Sequence, residues 1–163
     1  IMDVKKRTEI IIKWIDDYCK SMPFTPKALV VGISGGIDSS VVSTLSAMTG
    51  RKTIVISMPI KQIKSQHDLS LIHGKWLSSK FKNVDYNLIE LENLFNTFKE
   101  TLNKFDNEHG LANSRARLRM STLYQAAAAN TGIVVGTGNK VEDFGVGFYT
   151  KYGDGGVDIS PIA

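Results

Sequence analysis

Cysteine and long apolar runs are the two clearest shortages of this sequence. Its 163 residues include a single cysteine, Cys19, so no intrachain disulfide can form, and we expect a reducing, cytoplasmic setting. No apolar run is long enough to span a bilayer, so we expect no membrane partner. The charged residues 1–7 lead into an amphipathic segment and not into the apolar core of a signal peptide.

Clusters of a single charge are missing as well. The formal net charge is +4 and the isoelectric point is about 9.1, which favours an anionic partner. The lysines are nevertheless spread along the chain, without the basic run that is typical of a nucleic-acid surface. A nucleotide substrate explains the positive charge as well as a nucleic acid does, and charge alone does not separate the two.

The sequence also has no repeats or low-complexity segments, and with 42% hydrophobic residues we expect one domain over residues 1–163. Hydrophobic periodicity predicts strands at 28–31, 53–58, 85–91 and 132–136, and helices at 9–18, 41–48, 68–81, 94–102 and 112–130, with a break at 107–110. This order predicts an α/β fold, a Rossmann-like three-layer arrangement in which a parallel sheet has helices on both faces. A ligand is expected at the carboxyl ends of the strands, where residues 32–39 and 136–138 open.

The segment Gly32–Ser39, with the sequence GISGGIDS, is the most informative part of the chain. It joins the first predicted strand to a helix, where unpaired N–H groups and aligned peptide dipoles bind phosphate. A Walker A loop would have a lysine in place of Asp38, and a carboxylate here is compatible with phosphate only through a cation such as Mg²⁺. The glycine spacing also differs from that of a dinucleotide-binding fingerprint.

Residues 32–36 match a second motif, the Gly-x-Ser-x-Gly nucleophile elbow, which would make Ser34 an acylated nucleophile. Such an elbow normally follows several strands, whereas this segment follows the first predicted strand and a single helix. The topology therefore favours a phosphate-binding loop over a nucleophile elbow.

The long predicted helix displays polar side chains on two sides. At ~100° per residue, Asn113, Arg117 and Tyr124 line up on one side, where a guanidinium is suited to a carboxylate or a phosphate. Arg115 and Arg119 share a different face. An exposed charged surface is the alternative interpretation for these two arginines.

Two later stretches complete the pattern. In residues 136–143, the glycines leave room for a nucleotide near the backbone, Thr137 offers a hydroxyl, and Glu142 offers a second carboxylate for the cation at Asp38. In residues 148–158, glycines and acids alternate with aromatic residues, as expected for a loop that presses against a ligand.

These motifs resemble those of the ammonia-dependent NAD⁺ synthetases, a homodimeric family among the N-type ATP pyrophosphatases. The resemblance extends from the first helix to the last residue, and the motifs that carry it are Gly32–Ser39, Arg117–Met120, Gly136–Thr137 with Glu142, and Lys151–Asp158. It implies a ligase that uses ATP and Mg²⁺ to convert deamido-NAD⁺ to NAD⁺. ATP would adenylate the nicotinate carboxylate with release of pyrophosphate, and ammonia would then displace AMP.

The resemblance also implies a role for each matching residue. ATP would be bound by Gly32, Ile33, Ser34, Gly35, Gly36, Ile37, Asp38, Ser39 and Thr137. The ligands of Mg²⁺ would be Asp38 and Glu142. Deamido-NAD⁺, which lies across the dimer interface in the family, would be bound by Asn113, Arg117, Tyr124, Lys151 and Asp158. The candidate for placing or deprotonating ammonia is Asp154.

Three departures and two alternatives accompany this interpretation. Residues 139–140 are Asn-Lys where many relatives have Asp-His, and we expect the C-terminal portion of the family to be missing from this chain. Because no amidotransferase region is present, ammonia is the expected nitrogen donor.

The alternatives are a related pyrophosphatase that adenylates a tRNA base, and a non-catalytic fragment that binds a nucleotide or dimerises.

Overall fold

The structure, a computed structural model, describes residues 2–147 and 149–163. Phe148, the first residue of the predicted loop 148–158, lies outside the described residues. The helices are α1 (Val4–Ser21), α2 (Ile37–Met48), α3 (Lys64–Lys80), α4 (Glu92–Thr101) and α5 (Glu108–Ala129). The strands are β1 (Ala28–Ile33), β2 (Thr53–Ser57), β3 (Val84–Leu88) and β4 (Gly132–Val134). A short 3₁₀ turn covers Asn103–Phe105, and a π-helical turn covers Val141–Val146.

The four strands form one parallel sheet in the order β3–β2–β1–β4. Val30 in β1 pairs with Ile54 of β2 on one side and with Val134 of β4 on the other. The chain therefore adds strands in one direction from β1 to β3 and then returns to the opposite side of β1. The carboxyl ends of β1 and β4 flank this reversal of strand order, which is where open α/β sheets bind their ligands.

Successive residues of β1 face opposite layers of helices. Val30 lies in a buried cluster with Phe95 of α4 and Leu123 of α5. Val31, its neighbour, lies in a second cluster with Ile15 of α1 and with residues of α2. Helix α3 packs on the same side as α2. The predicted three-layer α/β fold is thereby confirmed, and within the described residues no helix has the length and apolarity that a membrane crossing requires.

The predicted elements exist, but several of their ends differ. Helix α3 begins at Lys64, before the predicted residue 68, and β3 ends at Leu88, before the predicted residue 91. The break predicted at 107–110 ends earlier, at Asn107, because the Asn107 side chain caps α5 by accepting a hydrogen bond from the Gly110 N–H at 2.8 Å. The last strand is also shorter than predicted, and the residue after it, Val135, forms an isolated parallel bridge with residue 159.

Two helical glycines give opposite predictions for substitution by alanine. A Cβ on Gly74 of α3 would overlap the Tyr86 ring of β3, so Gly74→Ala should lower the free energy of unfolding by about 1–3 kcal/mol. A Cβ on Gly110 of α5 would meet Asn107 Oδ1 at an ordinary 3.5 Å, so Gly110→Ala should raise stability by about 0.5–1 kcal/mol. Urea unfolding measures both, and equal effects of the two substitutions would contradict this packing of α3 on the sheet.

Candidate active site

The turn between β1 and α2 places backbone N–H groups at the carboxyl end of the sheet. Gly35 has a φ of +92°, which favours glycine, and an added Cβ would overlap the carbonyl oxygen of Gln66. Gly36 is the N-cap of α2 and has no side chain to cap the first turn of that helix. Those N–H groups and the positive end of the helix dipole are therefore available to an anion.

Two serine hydroxyls hold this turn in one shape. The Ser39 Oγ accepts a hydrogen bond from the Ser34 N–H at 3.1 Å and donates to the Gly36 carbonyl at 3.1 Å. The Ser34 Oγ lies 3.3 Å from the Ser39 Oγ and accepts from the Gly36 N–H at 3.2 Å. Among the described residues no histidine hydrogen-bonds to the Ser34 hydroxyl, and the His73 Nε2 instead lies 2.9 Å from the Ser43 hydroxyl. The nucleophile-elbow alternative therefore has no base beside its serine.

A cavity of about 430 Å³ opens in front of this turn, at the reversal of strand order. Its wall is built from the β1–α2 turn, from the residues that follow β2 and β4, and from one face of α5. The lining includes Ser34, Ser39, Gln62, Arg119, Thr137 and Asp154. Cavities of this size are typical of small-molecule sites, and this one combines hydroxyl, amide, guanidinium and carboxylate groups.

Asn139 contacts both predicted cation ligands, Asp38 through its carboxylate and Glu142 through its backbone N–H. The Asn139 Nδ2 donates to the Asp38 Oδ2 at 2.8 Å, and the Asn139 Oδ1 accepts from the Val141 and Glu142 N–H groups, each at 3.0 Å. No cluster of three or more metal-binding side chains occurs in the described part of the chain. A Mg²⁺ ion needs no such cluster, because it is usually held by one or two carboxylates, substrate phosphates and water.

Asp143 is a third carboxylate at this end of the sheet, and sequence reasoning missed it. Burial, with Asp154 and Asp38 nearby, raises the pKa of the Asp143 carboxyl above its usual value. The carboxylate packs so closely against Gly138 that a Cβ there would overlap it, and a Cβ on Gly136 would meet Val157. The space beside Gly138 is therefore filled by the chain itself, whereas Gly136 lines the cavity beside Val157.

Helix α5 contacts the segment 149–158 through the residues that sequence periodicity placed on one side. Asn113 Oδ1 accepts a hydrogen bond from the Thr150 hydroxyl at 2.9 Å, and Arg117 Nε donates to the Lys151 carbonyl at 3.0 Å. The Tyr124 hydroxyl donates to the backbone carbonyl of residue 156 at 2.8 Å. Asn113, Arg117 and Tyr124 therefore lie on one side of α5, as predicted, and all three form hydrogen bonds with residues 149–158 of the same chain.

Asp158 closes this arrangement at the end of β4. Its Oδ2 accepts from the Val134 N–H at 2.8 Å, and its Oδ1 accepts from the Tyr124 hydroxyl at 3.2 Å. Burial and the neighbouring Asp158 carboxylate raise the pKa of Tyr124 to about 12. Both oxygens of the Asp158 carboxylate therefore bind its own chain, which ties the segment to the sheet.

Arg119 is a second cavity residue that sequence reasoning did not select. Its Nε donates to the Met58 carbonyl at 3.0 Å, and burial, with a smaller effect of Arg115, lowers the pKa of its guanidinium. Arg115 itself lies over the Phe95 ring, 5.4 Å from its centroid. The alternative interpretation, in which Arg119 belongs to an exposed charged surface, is therefore wrong. The helical spacing did correctly predict that Arg119 lies on the same face as Arg115 and away from Arg117.

Comparison with known proteins identifies the family. Residues 7–163 match the sequence profile described as NAD synthase. The chain belongs to the NAD synthase family. It is 35% identical, over 99% of its length, to the NH₃-dependent NAD⁺ synthetase of Mesoplasma florum, and it spans 64% of that relative's length.

Solved structures of the family have the same fold. The NH₃-dependent NAD synthetase from Campylobacter jejuni is 31% identical with a TM-score of 0.87, and the match covers 100% of this chain and 68% of that one. An NMN synthetase from Francisella tularensis is 30% identical with a TM-score of 0.89, over 100% of this chain and 66% of that one. The described chain therefore corresponds to about two thirds of these family members.

The turn of this NAD synthase family member gives a matched pair of substitutions. Gly35→Ala should lower the free energy of unfolding by about 1–3 kcal/mol, since alanine is strained at a φ of +92° and overlaps the Gln66 carbonyl. Gly36→Ala should cost less than about 1 kcal/mol, because its φ is −81° and the nearest contact of the new Cβ is the Ser34 Oγ at 3.3 Å. Urea unfolding of both variants is the measurement, and a Gly36→Ala variant as unstable as Gly35→Ala would show that the turn has a different shape.

Proposed function

We propose that this chain is the ATP-pyrophosphatase domain of an ammonia-dependent NAD⁺ synthetase, which amidates deamido-NAD⁺ to NAD⁺. The observation that supports this most is the position of the Gly32–Ser39 turn. It opens, at the reversal of strand order, into a cavity shared with Thr137, in a chain that belongs to the NAD synthase family. An ATP-dependent ligase of this family needs a phosphate site and a site for the carboxylate substrate at one edge of the sheet, and a cavity beside the phosphate turn is compatible with this.

The proposed reaction has two steps. An oxygen of the nicotinate carboxylate attacks the α-phosphorus of ATP, so that an O–P bond forms and pyrophosphate leaves. Ammonia then attacks the carbonyl carbon of the mixed anhydride, AMP leaves, and the amide nitrogen loses its extra proton to a base. The first step is required because a free carboxylate has no good leaving group, whereas AMP is one.

The residues of the phosphate turn suit the leaving pyrophosphate. The N–H groups in the first turn of α2 are donors already fixed in place by the bonds that the Ser34 and Ser39 hydroxyls make within the turn, so they need little rearrangement when charge develops. The carboxylates of Asp38 and Glu142 are hard oxygen ligands that fit Mg²⁺, since the Asp38 Oδ1 has no hydrogen-bond partner within the described residues. When bound, Mg²⁺ would neutralise phosphate charge.

The second substrate is assigned to α5 and the segment after Lys151. We propose that Arg117 binds deamido-NAD⁺ with its guanidinium, helped by Asn113 and Tyr124, while Lys151 and Asp158 contribute across a homodimer interface. Asp154 lines the cavity, where it is suited to place or deprotonate ammonia. Thr137 is assigned to ATP. These contacts would replace some of the bonds that hold α5 to residues 149–158.

A second candidate substrate is nicotinate mononucleotide, which is smaller than deamido-NAD⁺. The neighbour from Francisella tularensis is called an NMN synthetase and is about as similar to this chain as the Campylobacter jejuni enzyme is. Both substrates have the nicotinate carboxylate, but only deamido-NAD⁺ has the adenylate half. The residues that hold that half, and not the phosphate turn, would decide between them.

The test is a pyrophosphate-release assay with ATP, Mg²⁺ and ammonia, in which the substrate that accepts the adenylyl group is varied. Release that requires deamido-NAD⁺ and yields one NAD⁺ and one AMP per pyrophosphate supports the proposal. Release that requires nicotinate mononucleotide supports the second candidate. Release with tRNA, or no release with any acceptor, contradicts both.

Arg117 has a matched control on its own helix. Arg117→Ala should raise the KM for deamido-NAD⁺ by about tenfold or more, because losing a hydrogen bond to a charged group costs about 1.5–3 kcal/mol. The KM for ATP should change much less. Arg115→Ala removes an arginine two residues away whose guanidinium lies over Phe95, so it should leave both KM values near wild type. Equal increases in both KM values for Arg117→Ala would contradict its assigned role.

A further inference from the structure

Asn139 makes three hydrogen bonds that connect two separate elements at the mouth of the phosphate turn. Its amide nitrogen donates to the Asp38 carboxylate, in the first turn of α2, at 2.8 Å. Its amide oxygen accepts from the Val141 and Glu142 N–H groups at 3.0 Å each. Both ends of one side chain are thus in use, one on the Asp38 carboxylate and the other on the backbone N–H groups that begin the turn carrying Glu142.

The rest of residue 139 reinforces this link. The Asn139 carbonyl accepts from the Asp143 N–H at 3.0 Å, and the Asp143 carboxylate packs against Gly138. The π-helical turn Val141–Val146 is therefore anchored at its start by residue 139 through both backbone and side chain. Because the same side chain also holds Asp38, the turn that carries Glu142 is positioned relative to α2.

We propose that Asn139 is the positioning residue that sets Asp38 and the Glu142 turn for one shared divalent cation, an inference that rests on the proposed function. An amide is suited to this task because it is neutral and has both a donor and an acceptor. The donor occupies the Asp38 Oδ2 and fixes the carboxylate, and Oδ1, which has no hydrogen-bond partner in the described part of the chain, would be the oxygen that holds the cation. The acceptor fixes the backbone from which the Glu142 side chain extends. Partners that orient a metal-binding carboxylate in this way typically change metal affinity by about 10–100-fold when they are removed.

Two substitutions of Asn139 distinguish its proposed role in positioning Asp38 from its role in capping the Val141–Val146 turn. Asn139→Ala removes the link and the cap together, so Mn²⁺ affinity should fall by about tenfold or more. Asn139→Asp keeps an oxygen acceptor for the two N–H groups but replaces the donor to Asp38 by a second carboxylate. The facing carboxylates should repel each other without metal and attract a cation, so Mn²⁺ affinity should rise above wild type while the Tm without metal falls.

The measurement is direct Mn²⁺ binding to the whole chain, followed by the electron paramagnetic resonance signal of free Mn²⁺, with Mg²⁺ as competitor. Asn107→Ala is the matched control, because the Asn107 Oδ1 caps α5 through the Gly110 N–H at 2.8 Å, far along the chain from the proposed cation ligands. This control should bind Mn²⁺ as wild type does. Asp38→Asn should lose the binding.

The outcomes distinguish this inference from the proposed function. Wild-type Mn²⁺ affinity in Asn139→Ala, or equal affinity of Asn139→Asp and wild type, would show that Asn139 does not position the ligands. Wild-type affinity in Asp38→Asn would overturn the shared cation site itself. Since Mn²⁺ binding is measured without ATP turnover or deamido-NAD⁺, the predicted order of affinities can hold even where the pyrophosphate-release assay rejects the synthetase reaction.

Discussion

The site depends on the pairing of β1 with a strand on each side. Because β2 and β4 both pair in parallel with β1, the connections that leave β1 and β4 run in opposite directions across the sheet. Their separation opens the cavity between the phosphate turn and Thr137. β1 is buried on both faces, so the start of the turn is held by the core, and the donors at its end are placed without support from a ligand.

The turn itself combines a left-handed glycine with satisfied hydrogen bonds. Gly35 accepts a left-handed conformation close to Gln66, while the Ser34 and Ser39 hydroxyls bond the backbone around it. These bonds leave the N–H groups of the first helical turn directed at one place. The same end of the sheet also collects the carboxylates Asp38, Asp143 and Asp154, and the proximity of the other two helps to raise the pKa of Asp143. A cation such as Mg²⁺ would reduce the repulsion between these carboxylates and a bound phosphate.

The sequence allowed much of the fold and part of the site to be predicted. Alternating apolar patterns identified the parallel three-layer fold, and spacing placed Asn113, Arg117 and Tyr124 on one side of α5. It could not show that β4 lies beside β1, since strand order depends on long-range packing. It also missed the bonds made by Asn139 and the burial of Arg119, because both depend on residues distant in the chain. The glycines at 136 and 138 carried an ambiguous signal: close approach was correctly expected, but the approaching groups are Val157 and Asp143.

The central claim is that the first-strand turn holds the terminal phosphates of ATP. A crystal structure of the whole chain with Mg²⁺ and a non-hydrolysable ATP analogue tests it most directly. The β- and γ-phosphates should lie within hydrogen-bonding distance of the Gly35 N–H, the N–H groups in the first turn of α2 and the Ser34 hydroxyl. A triphosphate bound elsewhere, with this turn unchanged and free of phosphate, would contradict it.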